Sequence, residues 1–308
     1  MTNCVLCNTE VKLWSEATDV EYASTELVYS YFQCLICQVL FLEYPPVNYL
    51  SEIYPPDYYS FKSTERNLIY RIKSSIERRT VASQTKHFET SKNLKILDLG
   101  GGSGYFADIC LDLFPNATVS VVDFEITDST EGDSLIGVKK FIRCDLNFDF
   151  PIGKFDLIIA WNILEHVVNP SDFLLSCYQN LSEEGVLILQ TPNFDTVSAK
   201  LFRKFYWGGL HSPRHFVLFN DSSLLTAVKE IGFKNTKIKF VQVAHFWAVS
   251  ICNYFKLGAE QNGKPLYKFR RYKFLLTLFA FLDGFLSLIS KTGQMQLYAM
   301  KNQFSSNR

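Results

Sequence analysis

The sequence predicts a doubly wound α/β domain with a seven-stranded sheet, preceded by a small metal-stapled ribbon. Three observations predict it. From Asn93 onward, short apolar β-branched runs alternate with stretches of helical apolar spacing. One run, Lys95 to Leu99, passes directly into the glycine cluster Gly100-Gly101-Gly102-Ser103-Gly104, after which Phe106, Ile109, Cys110 and Leu113 recur at helical intervals. Near the N-terminus, two Cys-x-x-Cys pairs stand 26 residues apart.

Composition sets the limits. The chain has 308 residues, 47% of them hydrophobic and 20% charged, which is enough apolar material for one large or two modest folded domains. Lys plus Arg and Asp plus Glu both number 31, so no overall field draws nucleic acid, and none is expected as a partner. Met1-Thr2-Asn3-Cys4 lacks the basic and apolar regions of a secretory signal, so a cytoplasmic location with the eight cysteines reduced is expected.

In chain order, Cys4, Cys7, Cys34 and Cys37 have the spacing by which a zinc ribbon presents four thiolates to a tetrahedral ion. Four cysteines leave no open position, so this zinc is expected to be structural. A redox Cys-x-x-Cys is disfavoured because no βαβ unit surrounds it. Residues 1–60 therefore form a ribbon plus a Tyr/Pro-rich connector, where Pro45-Pro46 and Pro55-Pro56 exclude helix. The connector's tyrosines pack on the ribbon or face a substrate. Residues 61–92 form a linker helix, with Leu68, Ile69, Ile72 and Ile76 on one face and a basic solvated face opposite.

The main domain spans 93–308. Strands are expected at Leu94–Leu99, Ala117–Val122, Lys140–Cys144, Phe155–Ala160, Gly185–Gln190, Phe233–Val243 and Gln294–Met300, and helices at Ser103–Leu113, Pro170–Leu181 and Asp221–Ile231. An apolar helical insertion occupies about 244–293. Its centre, Phe274 to Ile289, is interrupted by Asp283 and Gly284 and falls short of the ~20 residues that span a bilayer. The basic run Lys268 to Lys273 leaves two readings for 268–289, burial on the domain or a partner, and peripheral contact with a membrane surface.

Asp98, Asp123 and Asp145 end three successive strands and would align on the carboxyl edge of a parallel sheet, where open α/β folds bind ligands. Asp123 is placed to accept both hydroxyls of a ribose and Asp145 an adenine amino group, with Phe124 and Leu146 against the base. Gly102 to Ala107 also fits the GxGxxA of dinucleotide sites. Asp98 argues against that, because a carboxylate at the turn repels a pyrophosphate and suits a ligand with positive charge.

Asp98-Leu99-Gly100-Gly101-Gly102-Ser103-Gly104 resembles the DxGxGxG motif of class I S-adenosylmethionine-dependent methyltransferases. Ile163-Leu164-Glu165-His166-Val167 followed by Pro170 is similar to the LEHV segment of the subgroup around the ubiquinone-biosynthesis O-methyltransferases, and Pro213-Arg214-His215-Phe216 resembles that subgroup too. The likeness runs from Asn93 to about Val243 and resumes at Gln294 to Lys301. A ribbon in front of such a domain looks like bacterial methyltransferases acting on sugars or other secondary metabolites.

The resemblance implies S-adenosylmethionine as cofactor, with Gly100, Gly102 and Gly104 at its methionine part, Asp98 near its amino group, Asp123 on ribose and Asp145 at adenine. It makes His166 the candidate general base, with Glu165 beside it and His215 on a loop over the acceptor side. The alternative for His166 is ordering the loop through hydrogen bonds. Asn162, one helical turn before His166, is a poor ligand for a hard cation, so no catalytic metal is expected. Arg214 either holds an acidic group of the acceptor or pairs inside the domain. The implied activity is O-methylation of a small metabolite or sugar-containing acceptor. C-methylation of a sugar nucleotide and a non-catalytic binding protein on the cofactor fold are the alternatives.

Overall fold

The computed structural model describes residues 3–54, 68–124, 138–205, 207–255, 273–288 and 290–302. In chain order these are β1 (Val11–Ala17), β2 (Tyr29–Cys34), β3 (Leu40–Leu42), α1 (Leu50–Ile53), α2 (Leu68–Gln84), β4 (Lys95–Leu99), α3 (Tyr105–Leu113), β5 (Thr118–Asp123), β6 (Val138–Arg143), β7 (Phe155–Trp161), α4 (Pro170–Asn180), β8 (Leu181–Pro192), α5 (Val197–Phe202), β9 (Val217–Leu218), α6 (Asp221–Ile231), β10 (Lys234–Val241), α7 (Ala244–Tyr254), α8 (Lys273–Leu286) and β11 (Gln294–Met300). Pro55 to Ser60 of the connector, residues 61–67 of the linker segment and the basic residues 268–272 lie outside the described residues.

Seven strands form one sheet in the order β10-β11-β8-β7-β4-β5-β6. β8, β7, β4, β5 and β6 run parallel, and β11 enters antiparallel between β8 and β10. The sheet is Rossmann-like, doubly wound and parallel apart from β11, as the sequence predicts. Its central strands are apolar at nearly every position because helices cover both faces, as a parallel sheet requires. Alternation then divides the core. Leu97, Leu99, Ile158, Ala160, Leu187 and Leu189 share one apolar cluster, while Ile96, Val121, Leu157, Ile159, Val186 and Ile188 share the other with Phe106, Ile109 and Cys110 of α3.

Local chemistry fixes the helices that flank the site. Asn169 caps α4 by accepting from the Asp172 N–H, with Pro170 in the first turn, where its missing donor is not needed. A capping box between Asn220 and Ser223 starts α6, and Gly232, at φ +118°, ends it. β8 begins at Leu181, four residues before the strand read from the sequence. The charged start of that strand, Ser182-Glu183-Glu184, hides its extended backbone from an apolar pattern.

The N-terminal module is joined to this domain by backbone pairing. β1, β2 and β3 form an antiparallel meander, and β9 pairs antiparallel with β3, Leu40 opposite Leu218 and Phe41 opposite Val217. Trp14, Tyr31, Leu40 and Phe41 belong to the same apolar cluster as Leu97 and Leu189. The segment after Arg214 is therefore held from the N-terminal side as well as by its own domain.

From Leu278 onward, the described side chains of α8 are packed on one face only. Phe279 stacks on Trp247 at 6.4 Å, and the buried Asp283 accepts from the Val243 N–H at 2.7 Å and Trp247 Nε1 at 3.0 Å. Leu278, Phe281, Phe285 and, just past the helix, Leu288 form an exposed stripe at helical spacing. No described helix is long and apolar enough to cross a membrane.

Candidate active site

Asp98 lies in β4, and the glycine turn folds back directly over it. Gly100, Gly102 and Gly104 have φ of +67°, +51° and +84°, the left-handed region that glycine enters at little cost. A Cβ on Gly101 would come within 2.6 Å of Asp98 Oδ2 and 2.7 Å of Val121 Cγ1. Asp98 is buried and its Oδ2 has no hydrogen-bond partner among the described groups. Burial first, and the nearby Asp123 second, push its carboxyl up to about 8. It is therefore mainly protonated at neutral pH, and a cation brought to the bare turn would favour its ionised form.

Asp123 ends β5, and its Oδ2 accepts from the Gly102 N–H at 2.9 Å, bracing the turn. Phe124 follows it, half-buried. Asp145 stands beyond β6, and its Oδ1 accepts from both the backbone N and Nδ2 of Asn147 at 2.9 Å, which commits one oxygen to the local turn. Leu146 packs against the main core. An orphaned carboxylate oxygen, a turn cleared of side chains and acidic strand ends fit a cofactor that carries positive charge at one end and a nucleoside at the other.

The acceptor side is built around His166, at the end of a short helical turn Leu164–His166 after β7. Its Nδ1 lies 2.9 Å from the Arg214 carbonyl and 3.0 Å from the Tyr54 hydroxyl. A carbonyl only accepts, so this network assigns the proton to Nδ1 and leaves the lone pair on Nε2. Burial, then His211 and Arg214, hold the imidazole down to about 3, so it is neutral throughout the physiological range. His215 stacks edge-on at 4.9 Å from His166, and its Nδ1 donates to the Gly209 carbonyl at 2.8 Å. Burial, then His166 and His211, keep it well below its ordinary value.

Glu165 is buried behind this pair. It accepts from Thr191 Oγ1 at 2.9 Å, and burial raises its carboxyl to about 8. Ligand atoms of Glu165, His166 and His215 lie within 4.8 Å of one another. A cation held there would favour the ionised form of Glu165, as at Asp98, against the burial that opposes it. The Asn162 side chain instead accepts from Gln190 Nε2 at 3.3 Å.

Arg214 pairs inside the protein. Its guanidinium meets Asp19 at 3.1 and 2.9 Å, with Tyr22 against its face at 4.3 Å, and both charged side chains are fully buried. Burial alone would raise the Asp19 carboxyl, but Arg214 outweighs it and holds the group below its usual value. Close by, His211 Nδ1 lies 2.6 Å from Glu21. The β1–β2 loop thus anchors the whole 211–215 segment. Asp19, Glu21, His211 and Tyr54 carry no motif, and only their contacts with residues far along the chain bring them to this site.

The four ribbon cysteines also converge. Cys4 and Cys37 Sγ are 3.4 Å apart, Cys7 and Cys34 Sγ 3.5 Å, and all four sulfurs lie within 4.8 Å of one another. Tetrahedral zinc thiolates at Zn–S ≈ 2.3 Å have edges of about 3.8 Å, which this set fits. Backbone N–H groups of Leu6, Ile36 and Cys37 already point at Cys4 and Cys34 sulfur.

An open α/β sheet with a glycine turn over a buried acid, and acidic strand ends beside it, defines a protein of the adenosine-cofactor class. A profile of the methyltransferase-domain family matches residues 65–238, more than half of the chain, and the chain belongs to that family. It is similar to the malonyl-[acyl-carrier protein] O-methyltransferase of Bacillus cytotoxicus, 24% identical over 39% of this chain and 43% of that one. It is also similar to ubiquinone biosynthesis O-methyltransferases of Rickettsia bellii, 25% over 43% and 56%, and Saccharomyces cerevisiae, 28% over 40% and 42%. The chain thus spans about half the length of the curated relatives it matches. Among solved structures, coclaurine N-methyltransferase bound to N-methylheliamine and SAH superposes with a TM-score of 0.51, at 13% identity, covering 82% of this chain and 81% of that one. That likeness speaks for the fold.

Proposed function

We propose that this protein transfers the methyl group of S-adenosylmethionine to an oxygen of a small-molecule or sugar-containing acceptor, with His166 as general base. The observation that carries the reading is the Arg214 carbonyl on His166 Nδ1, which keeps the ring proton there and leaves Nε2 unprotonated. The names of the relatives support oxygen over carbon. When bound, the cofactor supplies a methyl carbon activated by its sulfonium. Asp123 would hold the ribose and the glycine turn would leave room for the methionine part, while Asp145 and Leu146, with Phe124, would border the base. His166 Nε2 takes the proton of the acceptor hydroxyl as its oxygen becomes the nucleophile, and Nδ1 retains its partners throughout. His215 and Glu165 hold the position of that imidazole and exclude water.

Methyl-labelled cofactor offered to fractionated extracts tests this directly. The expected product is a labelled methyl ether in one small molecule. Label found on carbon would refute the oxygen assignment.

Cys4, Cys7, Cys34 and Cys37 are proposed to hold one structural zinc in a reducing compartment such as the cytoplasm. Metal analysis of freshly purified, reduced protein is expected to return about one zinc per chain, and none would count against the site. The exposed stripe of α8, with the basic run Lys268 to Lys273 preceding it in sequence, supports contact with an anionic membrane surface. Sedimentation with phosphatidylserine liposomes at low salt, lost on Phe281→Ser with Phe285→Ser, is the expected result; failure of the unaltered protein to sediment contradicts it.

A further inference from the structure

Tyr54 follows α1 at the end of the described N-terminal module, outside every motif of the cofactor domain. Its hydroxyl lies 3.0 Å from His166 Nδ1, its ring centroid 5.5 Å from that of Phe124, and the Arg214 guanidinium 6.0 Å from its face. One side chain therefore touches the acceptor-side imidazole and the residue that follows the ribose-binding candidate Asp123. We infer that Tyr54 is a positioning residue that links the filling of the cofactor edge to the placement of the His166 ring. This inference rests on the proposed reading of His166 as base.

The chemistry of the two groups on Nδ1 supports it. A hydroxyl both donates and accepts, whereas the Arg214 carbonyl accepts only. If Tyr54 donated to Nδ1, the ring proton would sit on Nε2, the base would be blocked, and a lone pair would face the carbonyl at 2.9 Å. The carbonyl thus selects the arrangement in which Tyr54 accepts from Nδ1–H. Tyr54 then supports the imidazolium formed when Nε2 takes the acceptor proton, because its oxygen shares the Nδ1 hydrogen.

The other end of Tyr54 is set by Phe124, tilted at 52° to it. A flat base seated against Phe124 fixes that ring, and the Tyr54 hydroxyl with it. Hydrogen bonds weaken over a few tenths of an ångström beyond 3 Å, so small ring movements at Phe124 are felt at Nδ1. A tyrosine that serves only as packing would make the same ring contacts without needing its hydroxyl.

Tyr54→Phe separates the two cases, because it keeps the ring and removes only the oxygen. At saturating labelled cofactor, with the extract fraction that accepts label, the rate is expected to fall about tenfold, the loss that follows removal of one hydrogen bond to a charged group. S-adenosylhomocysteine affinity and melting temperature should stay at wild-type values. In protein labelled with ¹⁵N-histidine, adding S-adenosylhomocysteine should shift the His166 ring signals, and Tyr54→Ala should abolish that shift. A wild-type rate in Tyr54→Phe, or His166 signals indifferent to the ligand in the unaltered protein, overturns the inference. If His166→Ala also turns over at the wild-type rate, the base assignment has failed. A loss in His166→Ala with none in Tyr54→Phe sinks the Tyr54 inference alone. Should Tyr54→Ala fail to fold, the Tyr54→Phe rate and the ligand titration of the unaltered protein still decide.

Discussion

Replacing His166 with alanine is expected to lower the rate of methyl transfer about 100-fold and to leave S-adenosylhomocysteine binding intact. Positioned general bases contribute roughly 100- to 10,000-fold, most when their pKa lies near the working pH. His166 is held down to about 3, so it is a weak base and the loss belongs at the lower end of that range. The same shift fixes the pH profile. An imidazole held well below its ordinary value stays neutral as pH falls from 8 to 5, so its titration adds no acid limb near ~6.5. Rates measured across that range in wild type and His166→Ala check both points, and an acid limb near 6.5 that vanishes in the variant would contradict the environment described for His166.

Arg214→Ala should be the most destabilising single change among the site residues. It leaves the Asp19 carboxylate buried without its partner, and breaking a buried pair in this way costs about 3–5 kcal/mol. Domains are stable by about 5–15 kcal/mol in total, so this one change consumes a large share of the margin. Replacing both members, Arg214→Met with Asp19→Asn, removes both charges and should recover much of the loss. Urea unfolding of the three proteins measures it. A single variant as stable as wild type would mean that water reaches Asp19 and screens it.

Both predictions concern contacts that bridge the chain's two parts, and these were the least legible in the sequence. The glycine turn, the acids at the ends of β4 and β5 and the paired Cys-x-x-Cys are local, since each is a few residues whose spacing alone states a geometry. The strands of the seven-stranded sheet and the helices α3, α4 and α6 followed from apolar periodicity for the same reason, whereas the short α5 and β9 did not. Arg214 was different. Its side chain suited either an acceptor anion or an internal acid, and its partner Asp19 lies 195 residues earlier, in a loop with no pattern of its own. Tyr54 read as part of a Tyr/Pro connector, and its meeting with His166 depends on how the meander docks through β9. Likewise the apolar centre of the 244–293 segment gave no hint that Asp283 would turn inward to Trp247 and leave Phe281 and Phe285 outside. Periodicity states that a face is apolar, and only packing decides what covers it.

The turn from Asp98 to Gly104, with Asp123, is proposed to seat S-adenosylmethionine. Isothermal titration with S-adenosylhomocysteine tests it most directly. One saturable site per chain is expected, lost on Asp123→Ala in a variant whose melting temperature shows it folded. No binding by the wild type, undiminished binding by Asp123→Ala, or tighter binding of NAD would contradict it.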